Sequence, residues 1–287
     1  MNEARLEVGA LTMCIEGGAG VESVMGMPGM ALFASDNEPT MTLLLDAAIL
    51  PPPSCRVLHR FDVADGYAEC RFAVDAEGVY YYNFGSKGFL RIDPRVPNQA
   101  QCTTIEDRDV LRFAVWLAYS MMAAGHGRAP IHSSVVVHRD RAVLCLGESG
   151  TGKSTHTRLW LNNIPQCHLL NDDSPIIAIT PNGVEVYGSP WSGKTHCYRQ
   201  EHYPVAAFLR LEQRPQNSIV RLPTIQAFGA VQPSLPPAMA HDERTLDVQV
   251  AIASRIVATT PVFRMGCLPD AEAAWMSHDT IFQHDDD

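Results

Sequence analysis

One short stretch limits the folds open to this 287-residue chain more than any other feature. Residues 147–154 read GESGTGKS and match the pattern G-x-x-x-x-G-K-[ST]. The apolar run at 142–146 predicts a strand before this stretch, and residues 153–161 predict a helix after it. A strand, a glycine-rich loop and a helix in this order form the context in which the pattern binds nucleotide phosphates. The sequence therefore predicts an α/β fold with a phosphate-binding loop, or P-loop.

The residue types within this loop match phosphate binding. Gly147, Gly150 and Gly152 allow backbone N–H groups to turn toward phosphate oxygens, and the helix start adds positive partial charge. Lys153 would neutralise β- and γ-phosphate oxygens, and the hydroxyl of Ser154 would hold Mg²⁺. The alternative is a glycine-rich turn that binds nothing. The predicted nucleotide-binding residues are Gly147, Glu148, Ser149, Gly150, Thr151, Gly152, Lys153, Ser154 and Thr155.

An acidic pair follows the next predicted strand. Residues 167–170 predict that strand, and Asn171, Asp172 and Asp173 come directly after it. Two adjacent carboxylates can divide the work of phosphoryl transfer, because one can coordinate Mg²⁺ while the other accepts a proton from an attacking hydroxyl. The alternative is a turn or a helix cap, since Asn-Asp-Asp-Ser-Pro is also ordinary turn chemistry.

The charge balance limits the partners. The chain carries 22 Lys and Arg residues against 32 Asp and Glu residues, a formal net charge of −10. This charge argues against nucleic acid or an anionic membrane as a partner, and no apolar run approaches the ~20 residues of a membrane helix. The first residues lack the basic and apolar regions of a secretory signal. The eight cysteines contain no C-x-x-C pair, so we expect reduced thiols in the cytoplasm, with disulfides as the alternative.

The first hundred residues predict a β-rich region. Short runs typical of strands lie at 5–15, 41–50, 55–64, 67–75 and 79–84. No helical period interrupts them, and residues 24–30 predict an irregular loop. Residues 106–124 predict a long, buried helix. We therefore divide the chain into a β-rich N-terminal region, 1–104, and an α/β P-loop domain with mixed sheets, 105–287, which includes this leading helix.

Later segments complete the P-loop domain. Strands are predicted at 205–211, 218–222 and 262–265, and helices at 224–231, 242–258 and 270–277. Residues 188–195 read GSPWSGKT and predict a mobile loop with Trp191 exposed, which closes over phosphates or acceptor. The alternative is a rigid hairpin turn with Trp191 in the core. Lys194 and Arg199 would face a phosphate or an acidic substrate group, unless they are ordinary surface charges.

Three segments, in order, resemble a known family. Residues 131–138 (IHSSVVVH), the loop GESGTGKST and residues 169–173 (LLNDD) are similar to the C-terminal catalytic domain of HPr kinase/phosphorylase, a relative of phosphoenolpyruvate carboxykinase. The resemblance, over roughly residues 130–215, implies ATP and Mg²⁺ as cofactors, with an aspartate as base on a serine hydroxyl.

The resemblance also implies roles for individual residues. Asp172 is assigned as the base, and Asp173 joins Ser154 as a Mg²⁺ ligand. Lys153 acts on the phosphates, and His132 lies near them or orients an aspartate. The alternative for His132 is a histidine satisfied by hydrogen bonds in a strand.

The chain departs from the family at the stretch that serves the protein substrate. It lacks an L-R-G-x-G-type segment and has the GSPWSGK element instead, which argues against HPr itself as substrate. The chain is more like HPr-kinase-related proteins with this element, and its length disfavours a full phosphoenolpyruvate carboxykinase.

The resemblance therefore implies an ATP- and Mg²⁺-dependent kinase that transfers the γ-phosphoryl group to a hydroxyl, foremost a serine of a peptide or protein. One alternative is a small-molecule kinase of the free-serine type. Others are pyrophosphate-linked dephosphorylation at the same site and a non-catalytic ATP-binding sensor or scaffold. A homo-oligomer is compatible with each of them.

Overall fold

The computed structural model describes residues 2–49, 54–63, 68–193 and 195–282. The contacts among these residues divide them into two compact units. Unit 1 holds the described residues up to His126 and the segment Ala238–Leu246. Unit 2 holds Gly127–Pro237 and the described residues from Asp247 onward. No helix in the described ranges is both long and apolar enough to cross a membrane.

Unit 1 is built on a mixed sheet of eight strands in the order β1-β2-β3-β8-β7-β6-β5-β4. These strands are β1 (Asn2–Val8), β2 (Leu11–Gly17), β3 (Met41–Leu44), β4 (Arg56–Val63), β5 (Ala68–Val74), β6 (Tyr80–Asn83), β7 (Phe89–Ile92) and β8 (Gln99–Cys102). Strand β3 runs parallel to β2 and β8, and the other pairs are antiparallel. The run at 5–15 forms a hairpin instead of one strand, because the chain turns at Gly9 and Ala10, which both have positive φ. The predicted β-rich character of this region is confirmed.

Two helical segments in unit 1 correct the sequence prediction. Helix α1 (Ala19–Met25) and a 3-10 turn (Met30–Phe33) interrupt the strands, where the sequence predicted no helix and a loop over 24–30. Helix α1 buries only Val21 and Val24, one turn apart. A helix of seven residues is too short to give a clear periodic pattern, which is why the prediction was wrong.

Helix α2 (Arg108–Ala124) confirms the long helix predicted over 106–124. It begins two residues later because Asp107 is its N-cap, and the Asp107 carboxylate accepts hydrogen bonds of 3.1 Å from the N–H groups of Asp109 and Val110. Helix α2 belongs to unit 1, so the observed units separate after this helix, whereas the sequence division at 104/105 precedes it.

Unit 2 combines nine strands with four helices in the described ranges. The strands are β9 (Arg128–Pro130), β10 (Ser133–His138), β11 (Arg141–Leu146), β12 (His168–Asp173), β13 (Ile176–Thr180), β14 (Gly183–Tyr187), β15 (His202–Gln213), β16 (Ser218–Arg221) and β17 (Val262–Cys267). The helices are α3 (Lys153–Asn163), α4 (Thr224–Val231), α5 (Glu243–Thr259), which enters the unit at Asp247, and α6 (Ala271–Phe282). The strands and helices predicted downstream of residue 140 are confirmed, with α6 five residues longer than predicted at its end.

The sheet of unit 2 is also mixed. Its strands follow the order β12-β10-β11-β15-β14-β13-β9, with β17 added beside β15 and β16 beside β17. Strand β15 runs parallel to β11 and β17, and the other pairs are antiparallel. Mixed sheets covered by helices confirm an α/β fold, and all eight cysteines are free thiols.

Apolar side chains alternate between the two faces of this sheet. Val135, Leu144 and Phe208 lie in one hydrophobic core with residues of α4 and α5. Their neighbours Val136, Cys145 and Leu209 lie in a second core with residues of α3 and α6. Because successive strand residues point to opposite faces, the same short strands contribute side chains to both cores. We call the first core the α4/α5 layer and the second core the α3/α6 layer.

Strand β10 brings three chain segments to one edge of the sheet. It lies between β11 and β12 and runs antiparallel to both, so that Ser133 is opposite Leu146 and Asp173. The ends of β11 and β12 therefore meet the start of β10. Residue 132 precedes β10, residues 147–154 follow β11 and residues 172–173 end β12, all at this edge.

Helix α3 is fixed to α6 by a buried polar contact. Trp160 is fully buried, and its indole N–H donates a 2.9 Å hydrogen bond to the Ser277 hydroxyl. His156 Nε2 lies 3.1 Å from the same hydroxyl oxygen. One hydroxyl thus satisfies two buried ring nitrogens at the base of the helix that follows the loop.

We expect Ser277→Ala to lower the free energy of unfolding by about 1–3 kcal/mol, because it removes the shared partner of the two buried ring nitrogens and leaves them only their longer, 3.3 Å hydrogen bond to each other. Urea unfolding measures the loss. Thr280→Ala is the matched control on the same helix, since its hydroxyl bonds only the Met276 carbonyl, and it should cost less than about 0.5 kcal/mol. Equal losses in the two variants would contradict the role of Ser277.

A pH dependence follows from the same contact. Burial lowers the pKa of His156 to about 4, whereas an unfolded histidine titrates near 6.5. As the pH falls from 6.5 toward 4, the unfolded chain takes up a proton that folded His156 does not, so stability falls in this window. We expect the wild type to lose about 2 kcal/mol more than His156→Gln between pH 7 and pH 5. Parallel urea unfolding curves at both pH values test this, and equal losses would exclude His156 as the source.

Candidate active site

The loop at 147–152 is open toward solvent and leads directly into α3. Gly150 and Gly152 have φ of 80° and 107°, a left-handed region that favours glycine. A side chain at either position would meet no atom within 4 Å, so the surface above the loop is open. Gly152 is the N-cap of α3, and no side chain caps the helix there. The exposed N–H groups and the helix dipole together make a site suited to a phosphate group.

Lys153 folds back over this loop. Its Nζ lies 2.8 Å from the Gly147 carbonyl oxygen and 3.3 Å from that of Glu148. Burial lowers the pKa of Lys153, and the carboxylates of Asp173 and Glu148 oppose this effect. The ammonium therefore sits at the mouth of the loop, held by weak neutral acceptors that a more strongly charged ligand would replace.

His132 connects Lys153 to the acidic pair. Its Nε2 lies 2.8 Å from Lys153 Nζ, and its Nδ1 lies 3.2 Å from Asp173 Oδ1. An ammonium can only donate hydrogen bonds, so Nε2 must accept and the ring proton must be on Nδ1, where it is donated to Asp173. Neutral His132 thus orients the Asp173 carboxylate. It stands directly before β10, where the sequence predicted a strand position.

The two aspartates have different surroundings. Asp172 is 6% exposed, and its Oδ1 accepts a 2.8 Å hydrogen bond from the Ser154 hydroxyl. The side chain of Asp173 is 42% exposed and faces His132. Successive residues of a strand point to opposite sides, so one carboxylate turns to the helix and the other to the open site. The register of β12 on β10 fixes which is which, with Asp172 opposite Ser134.

The segment 188–193 lies against the acidic pair, but differently from the prediction. Trp191 is only 4% exposed, so the predicted exposed position of Trp191 is wrong and the core position is observed. Fully buried Asn171 donates 3.3 Å hydrogen bonds to the carbonyls of Ser189 and Trp191. These bonds hold the segment to β12 as a fixed turn, because breaking them would leave a buried amide unsatisfied.

This turn approaches Asp172 closely through a glycine. The N–H group of Gly193 donates a 2.8 Å hydrogen bond to the Asp172 carbonyl. A side chain at Gly193 would come within 2.8 Å of that oxygen, so only glycine fits. Of the other two predicted substrate residues, Lys194 lies outside the described residues. Arg199 forms a 3.1 Å ion pair with Glu201 and has no contact with the loop among the bonds described.

Three polar residues at the site were missed by the sequence analysis. Arg210 donates a 2.6 Å hydrogen bond to the Glu148 carboxylate, and Gln213 donates one of 3.2 Å to the Gly150 carbonyl. The Ser234 carbonyl accepts a 2.7 Å bond from the N–H group of His132. A signal for Arg210 was present: it interrupts the apolar run of β15, and Leu146 is its neighbour in register. A charged residue in a buried strand, beside the strand that leads into the glycine loop, indicates a functional position.

A cavity of about 540 Å³ adjoins the helix side of the loop. Its lining includes Gly152, Thr155, His156, Leu159, Gln213 and Cys267. A cavity of this volume lies in the range of small-molecule sites. We call it the helix-side cavity.

Comparisons with known proteins add little to this geometry. No protein-family model matches the chain, and no curated protein sequence matches it. Among solved structures, the chain is similar to the HPr(Ser) kinase/phosphatase from Coxiella burnetii, with a TM-score of 0.31 and 12% sequence identity. The match covers 54% of this chain and 95% of that one.

Proposed function

We propose that this protein is an ATP- and Mg²⁺-dependent phosphotransferase that acts on a hydroxyl group. The observation that carries the proposal is the meeting of three parts at one sheet edge. They are the open glycine loop with Lys153, the Ser154–Asp172 hydrogen bond, and the His132–Asp173 pair. Phosphoryl transfer needs groups that hold the phosphates, a metal-binding group and an acceptor of the hydroxyl proton.

Asp172 and Ser154 are the proposed holders of Mg²⁺. Their oxygens are 2.8 Å apart beside the loop, and Mg²⁺ bound with a nucleotide commonly uses one or two protein oxygens, with phosphates and water as its other ligands. When bound, Mg²⁺ would neutralise charge on the phosphate oxygens. The described residues hold no group of three or more His, Cys, Asp or Glu side chains arranged for a metal ion.

Asp173 is the proposed base. Its carboxylate is partly exposed, and one of its oxygens already accepts a hydrogen bond from His132, which leaves the other for an incoming hydroxyl. This division of roles is the reverse of the one implied by the resemblance, where Asp172 is the base and Asp173 the metal ligand. The hydrogen bond between Ser154 and buried Asp172 favours the reversed order.

Lys153 would exchange partners when a nucleotide binds. Its present acceptors are two loop carbonyls and a neutral imidazole. Phosphate oxygens carry full charge and form stronger hydrogen bonds with an ammonium. Catalysis would then rest on positioning and charge neutralisation, with a serine of a peptide or protein, or a small hydroxyl compound, as acceptor.

We expect the two aspartate variants to differ in nucleotide binding and in phosphoryl transfer. Asp173→Asn should keep Mg²⁺-dependent affinity for a non-hydrolysable ATP analogue and lose about 10²-fold or more of phosphoryl transfer. Asp172→Asn should lose the effect of Mg²⁺ on that affinity. Calorimetry measures binding, and γ-labelled ATP with a size-separated cell extract measures transfer to macromolecules or small molecules.

Asp279 is an exposed aspartate of α6 that pairs with His278, and it supplies a matched control. Asp279→Asn should change neither measurement. Normal Mg²⁺-dependent affinity with lost transfer in Asp172→Asn would restore the order implied by the resemblance. Tight ATP binding by the wild type without labelled product in either fraction would contradict a kinase and favour the sensor or scaffold.

A further inference from the structure

A second cavity lies on the other side of the loop. It has a volume of about 420 Å³ and lies between α4 and the strands β15 and β17. Its lining includes Arg210, Glu212, Leu222, Gln226, Ala230 and Arg264. We call it the arginine cavity.

The two cavities belong to opposite faces of the sheet. Leu222 and Ala230 of the arginine cavity lie in the α4/α5 layer. Leu159 and Cys267 of the helix-side cavity pack against the α3/α6 layer. One cavity thus lies on each face of the sheet, and a ligand in one does not occupy the other.

The arginine cavity suits an anion. Arg210 and Arg264 are neighbours in the parallel register of β15 and β17. Two arginines and one glutamate give the lining a formal charge of +1. Glu212 is paired with Arg214 at 2.7 Å and Arg210 with Glu148 at 2.6 Å, so the net positive charge of the lining lies on Arg264. Within the described part of the chain, the exposed Arg264 guanidinium has no hydrogen-bond or ion-pair partner. A guanidinium presents donors that match a carboxylate.

Hydrogen bonds indicate which end of the loop each cavity adjoins. Arg210 reaches the Glu148 side chain and lies 3.4 Å from the Ser234 hydroxyl, while Lys153 bonds the Glu148 carbonyl and His132 bonds the Ser234 carbonyl. The arginine cavity therefore adjoins the Lys153 and His132 end, where β- and γ-phosphates are held in P-loops. The helix-side cavity adjoins Thr155 and His156, on the far side of that lysine.

We propose that the arginine cavity binds a carboxylate of the phosphoryl acceptor through Arg210 and Arg264. This inference rests on the proposed function, because it places the nucleoside in the helix-side cavity and the acceptor opposite it. A monoanion matches the charge of the lining. The carboxylate belongs either to a free hydroxy acid or amino acid, or to an acidic side chain beside a serine in a peptide.

Gly229 offers an independent way to close this cavity. It lies within α4 and lines the cavity, and a side chain there would meet no atom within 4 Å. Gly229→Leu therefore adds volume to the cavity without changing the charge of its lining. Leucine is also more favourable than glycine in a helix interior, so the substitution does not destabilise α4.

Binding is tested first, without nucleotide, on the full chain with sodium acetate as the probe. Arginine side-chain NMR signals follow the titration. We expect Arg264→Gln and Gly229→Leu each to weaken acetate binding about tenfold or more, as the loss of a charge-assisted hydrogen bond or of the space requires. Arg255→Gln, an exposed arginine of α5, is the matched control and should bind as the wild type does. Unchanged acetate affinity in both cavity variants would overturn the proposal.

Transfer from γ-labelled ATP then distinguishes the sources. L-serine is compared with L-serinamide, and a peptide with Asp beside its serine is compared with the Asn peptide. A source is supported if the enzyme prefers the carboxylate-bearing acceptor of that pair. Arg264→Gln should then raise the KM for this acceptor about tenfold and leave the KM for ATP unchanged. Labelling that is indifferent to carboxylate and to Arg264 overturns the acceptor site. Absence of label in every acceptor and extract fraction contradicts the proposed kinase itself, whatever the acetate result.

Discussion

The placement of β10 between β11 and β12 is the constraint on which the site depends. An antiparallel strand between two others makes their carboxyl ends meet at its amino end. The loop after β11 and the aspartates at the end of β12 are thereby brought to His132, although Gly147 lies 15 residues and Asp172 lies 40 residues after it in sequence. A slip of one residue in this register would turn each aspartate to the side that the other now occupies, and so exchange their partners.

The polar groups at this edge stabilise one another as a chain. Asp173 accepts from His132, His132 accepts from Lys153, and Lys153 donates to the carbonyl that starts the loop. Each member fixes the proton position of the next, because an ammonium only donates and a neutral imidazole has one donor and one acceptor. The network holds His132 and Asp173 in place before a ligand arrives, and the His132–Asp173 hydrogen bond would remain when Lys153 exchanges its partners for phosphate oxygens as proposed above.

The sequence predicted the parts of this site better than their arrangement. The motif at 147–154 and the apolar runs around it identify the strand, loop and helix, because local periodicity and glycine content determine them. The roles of Asp172 and Asp173 are different, since two adjacent residues in a strand are equivalent until the register with β10 is known. Arg210 comes from a strand 64 residues after Leu146, its neighbour in the sheet, so its proximity to the loop is a consequence of the parallel pairing. Helix α1 was missed, and the exposed position of Trp191 was preferred over the core position, for a related reason: tertiary packing decides short elements and single aromatic residues.

The turn at 188–193 limits how the site excludes water. The Asn171 amide donates hydrogen bonds to two carbonyls of the turn, and the Gly193 N–H group donates one to the Asp172 carbonyl. Lifting the turn would break these bonds, at a free-energy cost of about 1–3 kcal/mol for each polar group left unsatisfied. This segment therefore acts as a fixed wall beside the acidic pair and not as a lid. In the proposed reaction, exclusion of water would then come from ligands that fill the cavities on the two faces of the sheet. In such a site the binding of nucleotide and acceptor itself supplies the positioning of the reacting groups, and the groups that bind the acceptor become as important to the rate as those that bind the phosphates.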